Sequence, residues 1–277
     1  MRGMSNPSSS TLAFIGGGNM ASAIIGGLIR QGHAPQHILV VEPLADARER
    51  LLSQFAIRTL TSANASLHEA GLVIWAIKPQ IFKEVALQTR PFCAQALHLS
   101  VAAGIRSDSM AQWLGSERIV RAMPNTPALV GMGQTGLFAR AGVSADDRQR
   151  IEHVVATTGQ SLWVPEESQL DAVTAISGSG PAYVFYFIEA MVQAGIDMGL
   201  APEHARQLAI GTFVGASELA RSASEPPSVL RERVTSKGGT TYAALTAMQA
   251  AQLSEHFRAA MDAARQRAHE LGDEFGR

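Results

Sequence analysis

Three consecutive glycines follow an apolar pentad. Thr11 to Ile15 reads as a strand, Gly16-Gly17-Gly18-Asn19-Met20-Ala21 follows at once, and a helical pattern runs from about Asn19 to Arg30. A G-x-G-x-x-A spacing between strand and helix leaves few folds open. Gly16 permits a tight turn, Gly18 lets a pyrophosphate approach the backbone, and Ala21 lets the helix lie close on a sheet. The helix N-terminus offers free N–H groups and the positive end of its dipole to phosphate. These residues predict a dinucleotide site at the first strand end of a βαβ unit.

The surrounding pattern agrees. Apolar runs at Ile38–Glu42, Ile57–Leu60, Leu72–Ile77, Ala96–Val101 and Ile119–Met123 alternate with helical segments such as Ala45–Phe55. Strands apolar throughout predict a parallel sheet covered on both faces. A strand near Thr135–Ala139, a helix near Ala145–Thr158 and a strand near Ser161–Val164 complete this region. Beyond Pro165 no strand pattern recurs. Ala182–Met198, Pro202–Ala220, Pro227–Val234 and one long segment, Tyr242–Leu271, read as helices, with Pro181, Pro202 and Pro227 at helix starts. The expected architecture is α/β: a Rossmann-type, doubly wound parallel sheet at 11–165, then an all-α domain at 166–277. Residues 1–10 read as a loose polar tail without a secretory h-region.

Composition narrows the function classes. Only 17% of residues are charged against 46% hydrophobic, so a disordered chain is excluded and a large buried fraction, completed by a subunit interface, is expected. A net charge of -1 gives no bulk attraction for nucleic acid or an anionic membrane. No apolar run reaches the roughly 18 residues of a spanning helix. The single cysteine, Cys93, has no internal disulfide partner, which fits the cytoplasm. His33 and His37 are separated by Pro35 and have no evident third ligand, so they read as loop residues and no metal is expected. Tyr183, Phe185, Tyr186 and Phe187 read as core or subunit interface.

Other strand ends carry candidate chemistry. Glu42 closes the second strand, where an acid binds the ribose hydroxyls of NAD and repels the extra phosphate of NADP; a solvated glutamate is the plainer alternative, and Arg48 in the next helix is a possible offset. Lys78, one of three lysines, sits in Ala76-Ile77-Lys78-Pro79 and either meets a phosphate as a point charge or is merely solvated. The small residues of Val101-Ala102-Ala103-Gly104 suit either a flat nicotinamide or tight packing. Ser236-Lys237-Gly238-Gly239-Thr240-Thr241 precedes the last helical segment and reads as an anion nest, with Thr240 or Thr241 also available as helix cap. Ser177-Gly178-Ser179-Gly180-Pro181 is a further glycine-hydroxyl turn, for an anion or for a close helix crossing. Together the cradles suggest a small anionic substrate held against a nicotinamide.

These stretches, with Arg121-Ala122-Met123-Pro124-Asn125-Thr126-Pro127 and Asp171-Ala172-Val173-Thr174, occur in one order along the chain, and that order resembles the pyrroline-5-carboxylate reductases. The resemblance implies a Rossmann domain, a helical dimerisation domain and an active site between subunits, with dimers that often assemble into decamers. It implies reduction of the cyclic imine 1-pyrroline-5-carboxylate to L-proline, the last step of proline biosynthesis. It places Ile15, Gly16, Gly17, Gly18, Asn19, Met20, Asn64, Ala76, Ile77, Lys78, Pro79, Ala102, Ala103 and Gly104 near the dinucleotide. Glu167, Ser236, Gly239, Thr240 and Thr241 fall near the substrate, with the Thr241 hydroxyl facing the ring nitrogen as the catalytic candidate. Two residues depart from the family pattern. Lys237 replaces a usual proline, and Glu42 replaces a small polar residue, which opens NADH beside the usual NADPH. A β-hydroxyacid dehydrogenase has a similar plan but uses a lysine on the first helix after the junction, and Ala182–Met198 has none. A non-catalytic dinucleotide-binding regulator would have no need of the Gly-Gly-Thr-Thr cradle.

Overall fold

The computed structural model describes residues 11–276, so the expected tail lies outside the described residues. Strand β1 (Thr11–Ile15) enters helix α1 (Asn19–Arg30), followed by β2 (Ile38–Val41), α2 (Ala45–Phe55), β3 (Arg58–Leu60) and β4 (Ala70–Trp75). Then come α3 (Pro79–Cys93), β5 (Leu97–Ser100), α4 (Ser107–Leu114), β6 (Ile119–Met123), β7 (Gly133–Ala139), α5 (Ala145–Val155) and β8 (Gly159–Trp163). One eight-stranded sheet results, in the order β3-β2-β1-β4-β5-β6-β7-β8. Strands β1 to β6 pair in parallel. The order reverses between β1 and β4, which places a ligand crevice beyond their carboxyl ends.

The expected all-parallel sheet is corrected at β7, which runs antiparallel to β6. Only residues 124–132 separate the two strands, too few for a helical crossover to a parallel neighbour. Successive β1 residues serve opposite faces: Leu12 and Phe14 join one core cluster with α1 and α5, Ala13 and Ile15 another with Trp75, Phe82 and Trp113.

Beyond β8 the chain is helical: α6 (Gln169–Val173), a π-turn (Thr174–Gly178), α7 (Gly180–Asp197), α8 (Pro202–Ser222), α9 (Pro227–Arg233), α10 (Thr240–Ala250) and α11 (Leu253–Phe275). The expected single helix Tyr242–Leu271 is two helices. Gln252 adopts φ 52° between them, a left-handed backbone that no glycine or proline announces. The Ser177–Pro181 turn is likewise helical backbone. By contacts the chain forms two compact units, one running to Ser179 and resuming at Ala264, the other Gly180–Ala263. The expected boundary at 165 marks the end of the sheet, while α6 and the end of α11 stay with the first unit. In the second unit Tyr183 and Phe187 pack on Phe257, with ring centroids 6.0 and 5.6 Å apart, but Phe185 and Tyr186 are 60% and 70% exposed. They are therefore not core within one chain.

A buried histidine sits in the sheet, hydrogen-bonded to a tryptophan. The Trp75 indole donates to His98 Nδ1 at 3.2 Å, and His98 Nε2 is buried without a hydrogen-bond partner. Burial, with the Arg118 charge adding to it, pushes the His98 imidazole from 6.5 down to about 4. The neutral ring is the native form, while the unfolded chain takes up a proton near 6.5. Stability should hold above that value and fall as the pH drops towards 4, by about 3 kcal/mol in all. Urea unfolding at several pH values checks this, and His98→Phe should remove that component of the slope.

Candidate active site

The first cradle is built from strand ends in register. Ile15 pairs with Val41 on one side and with Trp75 on the other. The ladder then continues past the strands: Gly16 N donates to Val41 O at 2.8 Å, Ala76 N to Ile15 O at 2.8 Å, and Val101 N to Trp75 O at 3.0 Å. Gly16 has φ +95°, and a Cβ there would lie 2.5 Å from Ala76 O, so only glycine fits. Gly18 is the N-cap of α1, makes no side-chain cap bond and has no atom within 4 Å of an added Cβ. Gly18 and Asn19 are exposed and Met20 is half-buried, so the helix N-terminus opens outwards. Ala21 is fully buried beneath it. Donor groups, open approach and dipole together fit a pyrophosphate.

Glu42 is nearly buried and its carboxylate is engaged. Oε2 accepts from Gly17 N at 2.9 Å and Oε1 from Leu44 N at 3.0 Å. The plainer alternative of a solvated glutamate is thereby corrected: Glu42 ties the second strand end to the glycine loop. Arg48 Nη1 bends back to Glu42 O and Pro43 O at 2.8 and 2.6 Å. Asn64 caps a short 3-10 turn, its Oδ1 accepting from Ser66 N. Lys78 is exposed at the N-cap of α3 with Pro79 behind it. Ile77 lines Gly16, 2.8 Å from its notional Cβ. Ala102 is buried, Ala103 exposed and Gly104 buried at the end of β5.

The second cradle lies in the other unit. Gly239 is the N-cap of α10 without a side-chain cap bond, which corrects the expectation that Thr240 or Thr241 caps the helix. Gly239 N donates to Ser236 O at 3.0 Å and closes the turn. Thr240 and Thr241 occupy the first turn of α10, where backbone N–H groups have no intrahelical partner. Ser236, Lys237 and Thr240 are exposed and Thr241 is half-buried.

Glu167 belongs to the first unit. Its carboxylate accepts from Ser107 N at 2.7 Å, Ser107 Oγ at 2.5 Å and Arg121 Nη1 at 3.0 Å. Arg140 also reaches Ser107 Oγ and pairs with Glu117 and Asp108. Sequence reasoning missed Arg121 and Ser107. It also missed why two motifs travel together: Asn125 Nδ2 donates to Ser177 O and Oγ at 3.2 and 3.1 Å, and its Oδ1 accepts from Gln134 N at 2.9 Å. Met123 meanwhile packs against Gly178. Gly178 thus serves close packing against strand β6, where a close helix crossing was the expected alternative to an anion turn.

Comparison with known proteins now decides the family. Residues 167–271 match the model for pyrroline-5-carboxylate reductase dimerisation, and residues 11–104 match that for coenzyme F420-dependent NADP oxidoreductases. A pyrroline-5-carboxylate reductase of Pseudomonas aeruginosa is 42% identical, over 96% of this chain and 98% of its own length. The chain belongs to the pyrroline-5-carboxylate reductase family. A pyrroline-5-carboxylate reductase structure from Coxiella burnetii superposes with a TM-score of 0.90 at 37% identity, covering 95% of this chain and 98% of that one. The Plasmodium falciparum reductase, solved with NADP bound, gives 0.84 at 27% identity, covering 96% and 99%.

Within this reductase fold, Glu167→Ala would leave the Arg121 guanidinium, 6% exposed, without its carboxylate and the Ser107 N–H without its acceptor. The expected cost is about 3 kcal/mol, read as a lowered unfolding midpoint in denaturant, with Glu167→Gln losing less.

Proposed function

We infer that this chain reduces 1-pyrroline-5-carboxylate to L-proline with NAD(P)H. The observation that carries the reading is a named relative aligned over nearly the whole of both chains, with both glycine cradles built in the fold. When bound, the reduced dinucleotide supplies a hydride to the imine carbon.

The residues of this chain then divide the work. The N–H groups at Gly18 and the start of α1 hold the pyrophosphate, with Ile15, Gly16, Gly17, Asn19 and Met20 around it; the Gly17 N–H itself is held by Glu42. Glu42 lies towards the adenosine ribose, Asn64 and Ala76 to Pro79 flank the dinucleotide, and Ala102 to Gly104 back the nicotinamide. Ser236 to Thr241 bind the substrate carboxylate, chiefly through the free N–H groups of the first turn of α10. The Thr241 hydroxyl hydrogen-bonds the ring nitrogen, directly or through one water, and orients the imine. A threonine hydroxyl is a poor acid, so its contribution is positioning, while the proton that ends on nitrogen comes from solvent. Glu167, assigned to the substrate side, has its carboxylate engaged by Arg121 and by Ser107 at the start of α4. The chain works in the cytoplasm as a homodimer through its helical unit, with a decamer as the higher assembly; no helix among the described residues is long and apolar enough to cross a membrane.

Loss of reduced-nicotinamide absorbance on adding pyrroline-5-carboxylate tests the reading, and no turnover with either dinucleotide would refute it. Thr241→Ala should lower kcat about 10- to 100-fold, the equivalent of roughly 1.5–3 kcal/mol for one hydrogen bond to a charged group, at unchanged melting temperature. Removing the Glu42 charge in Glu42→Gln should shift the NADPH-to-NADH ratio of kcat/KM towards NADPH by about fivefold. One like-charge contact near water is worth about 1 kcal/mol.

A further inference from the structure

The loop that backs the nicotinamide in the proposed reading is overlaid by the C-terminal end of the chain. Gly104 has φ +73°, and a Cβ there would lie 3.1 Å from Phe275 Cδ2 and 3.2 Å from Leu271 Cβ. Two further contacts tie the same two segments. Arg106 pairs with Asp273 at 2.6 Å and lies across Gly272, whose notional Cβ is 2.8 Å from Arg106 Nε. Ser109 Oγ donates to the Gly276 carbonyl at 2.8 Å. Phe275 also packs on the core cluster that includes Ala102 and Ile105. Residues 271–276 thus meet residues 104–109 through apolar, ionic and hydrogen-bonded contacts at once. One turn earlier His269 reaches Asp171 of α6 at 3.3 Å.

We propose that Leu271–Gly276 is a positioning strap, which holds the Ala102–Gly104 backbone at the height that sets the approach of the nicotinamide to the imine. The need for glycine at 104 follows from both the backbone angle and the overlying ring, so the strap and the loop are shaped to one another. Hydride transfer is sensitive to displacements near 1 Å, and a loop without its cover loses that control first. The contacts that define the strap all fall on residues 104–109 and the core cluster beneath them, and none of them involves a residue assigned to the substrate. Its loss therefore acts on kcat and leaves the KM for the imine in place. This inference rests on the reductase reading above.

The experiment uses the full-length protein and three variants: Phe275→Ala, Phe275→Leu and a chain ending at Glu270. For each, kcat, both KM values, NADPH affinity and the fluorescence of bound NADPH are measured, with the elution volume on gel filtration. Phe275→Ala should lower kcat about tenfold, weaken the enhanced nicotinamide emission, and move the imine KM by less than twofold. Phe275→Leu, which restores an apolar cover over Gly104, should recover most of both signals, and the truncated chain should resemble Phe275→Ala. Equal kcat and emission in Phe275→Ala and the unaltered protein overturns the strap, as does a loss that Phe275→Leu fails to repair. If the truncated chain does not fold, the two Phe275 variants decide alone. Absence of turnover in the unaltered protein would instead refute the reductase reading.

Discussion

The backbone of Gly16 passes so close to the Ala76 carbonyl that no side chain fits between them, and the crevice at the strand ends depends on that approach. It lies where the paired ends of β1 and β4 meet and the strand order reverses, and the ladder bonds past Ile15, Val41 and Trp75 carry the alignment outwards in both directions. Glu42 fastens the second strand end to the same loop through Gly17, and Val101 N ties the end of β5 to that of β4 through Trp75 O. Four loops are thereby aimed into one crevice by backbone hydrogen bonds and the one carboxylate of Glu42.

Much of this was legible in the sequence, for identifiable reasons. Strand β1 alternates between two cores and runs into a glycine motif whose every position has a steric task, so neither its type nor its end was ambiguous. Strand β6 was found at its true bounds and its neighbour was expected near Thr135–Ala139, yet the antiparallel direction of that neighbour was not foreseen. Pairing direction depends on connection length and on what the intervening residues 124–132 do, and strand composition does not report it. The break at Gln252 was invisible because a left-handed glutamine leaves no compositional mark. The unit boundary moved from 165 to 179 because α6 is tied to the sheet by Glu167 and by Asn125–Ser177 contacts, which are long-range in sequence.

The candidate site was legible unevenly. Glycines and hydroxyls at helix starts announce themselves through spacing. Charged residues do not: Glu42 and Glu167 look alike in sequence, and only the structure shows that both carboxylates accept backbone N–H bonds. Arg121 gave no warning, since a buried arginine inside an apolar strand has the same letter as a surface one. Its role follows from burial against Glu167, a pairing of residues far apart in the chain.

The second unit has an unusual interior. Across α7, α8, α9 and α10, only Ala205 and Ala209 are buried, while Phe185, Tyr186, Leu208, Val214 and Leu219 face outwards. Two alanines cannot offset the conformational entropy of ordering such a length of chain. In a family whose matching segment is named for dimerisation, the missing interior is the surface of another copy. Dilution is then itself a denaturant for this unit: its folded population follows protomer concentration by mass action, and any statement of its stability is incomplete without that concentration.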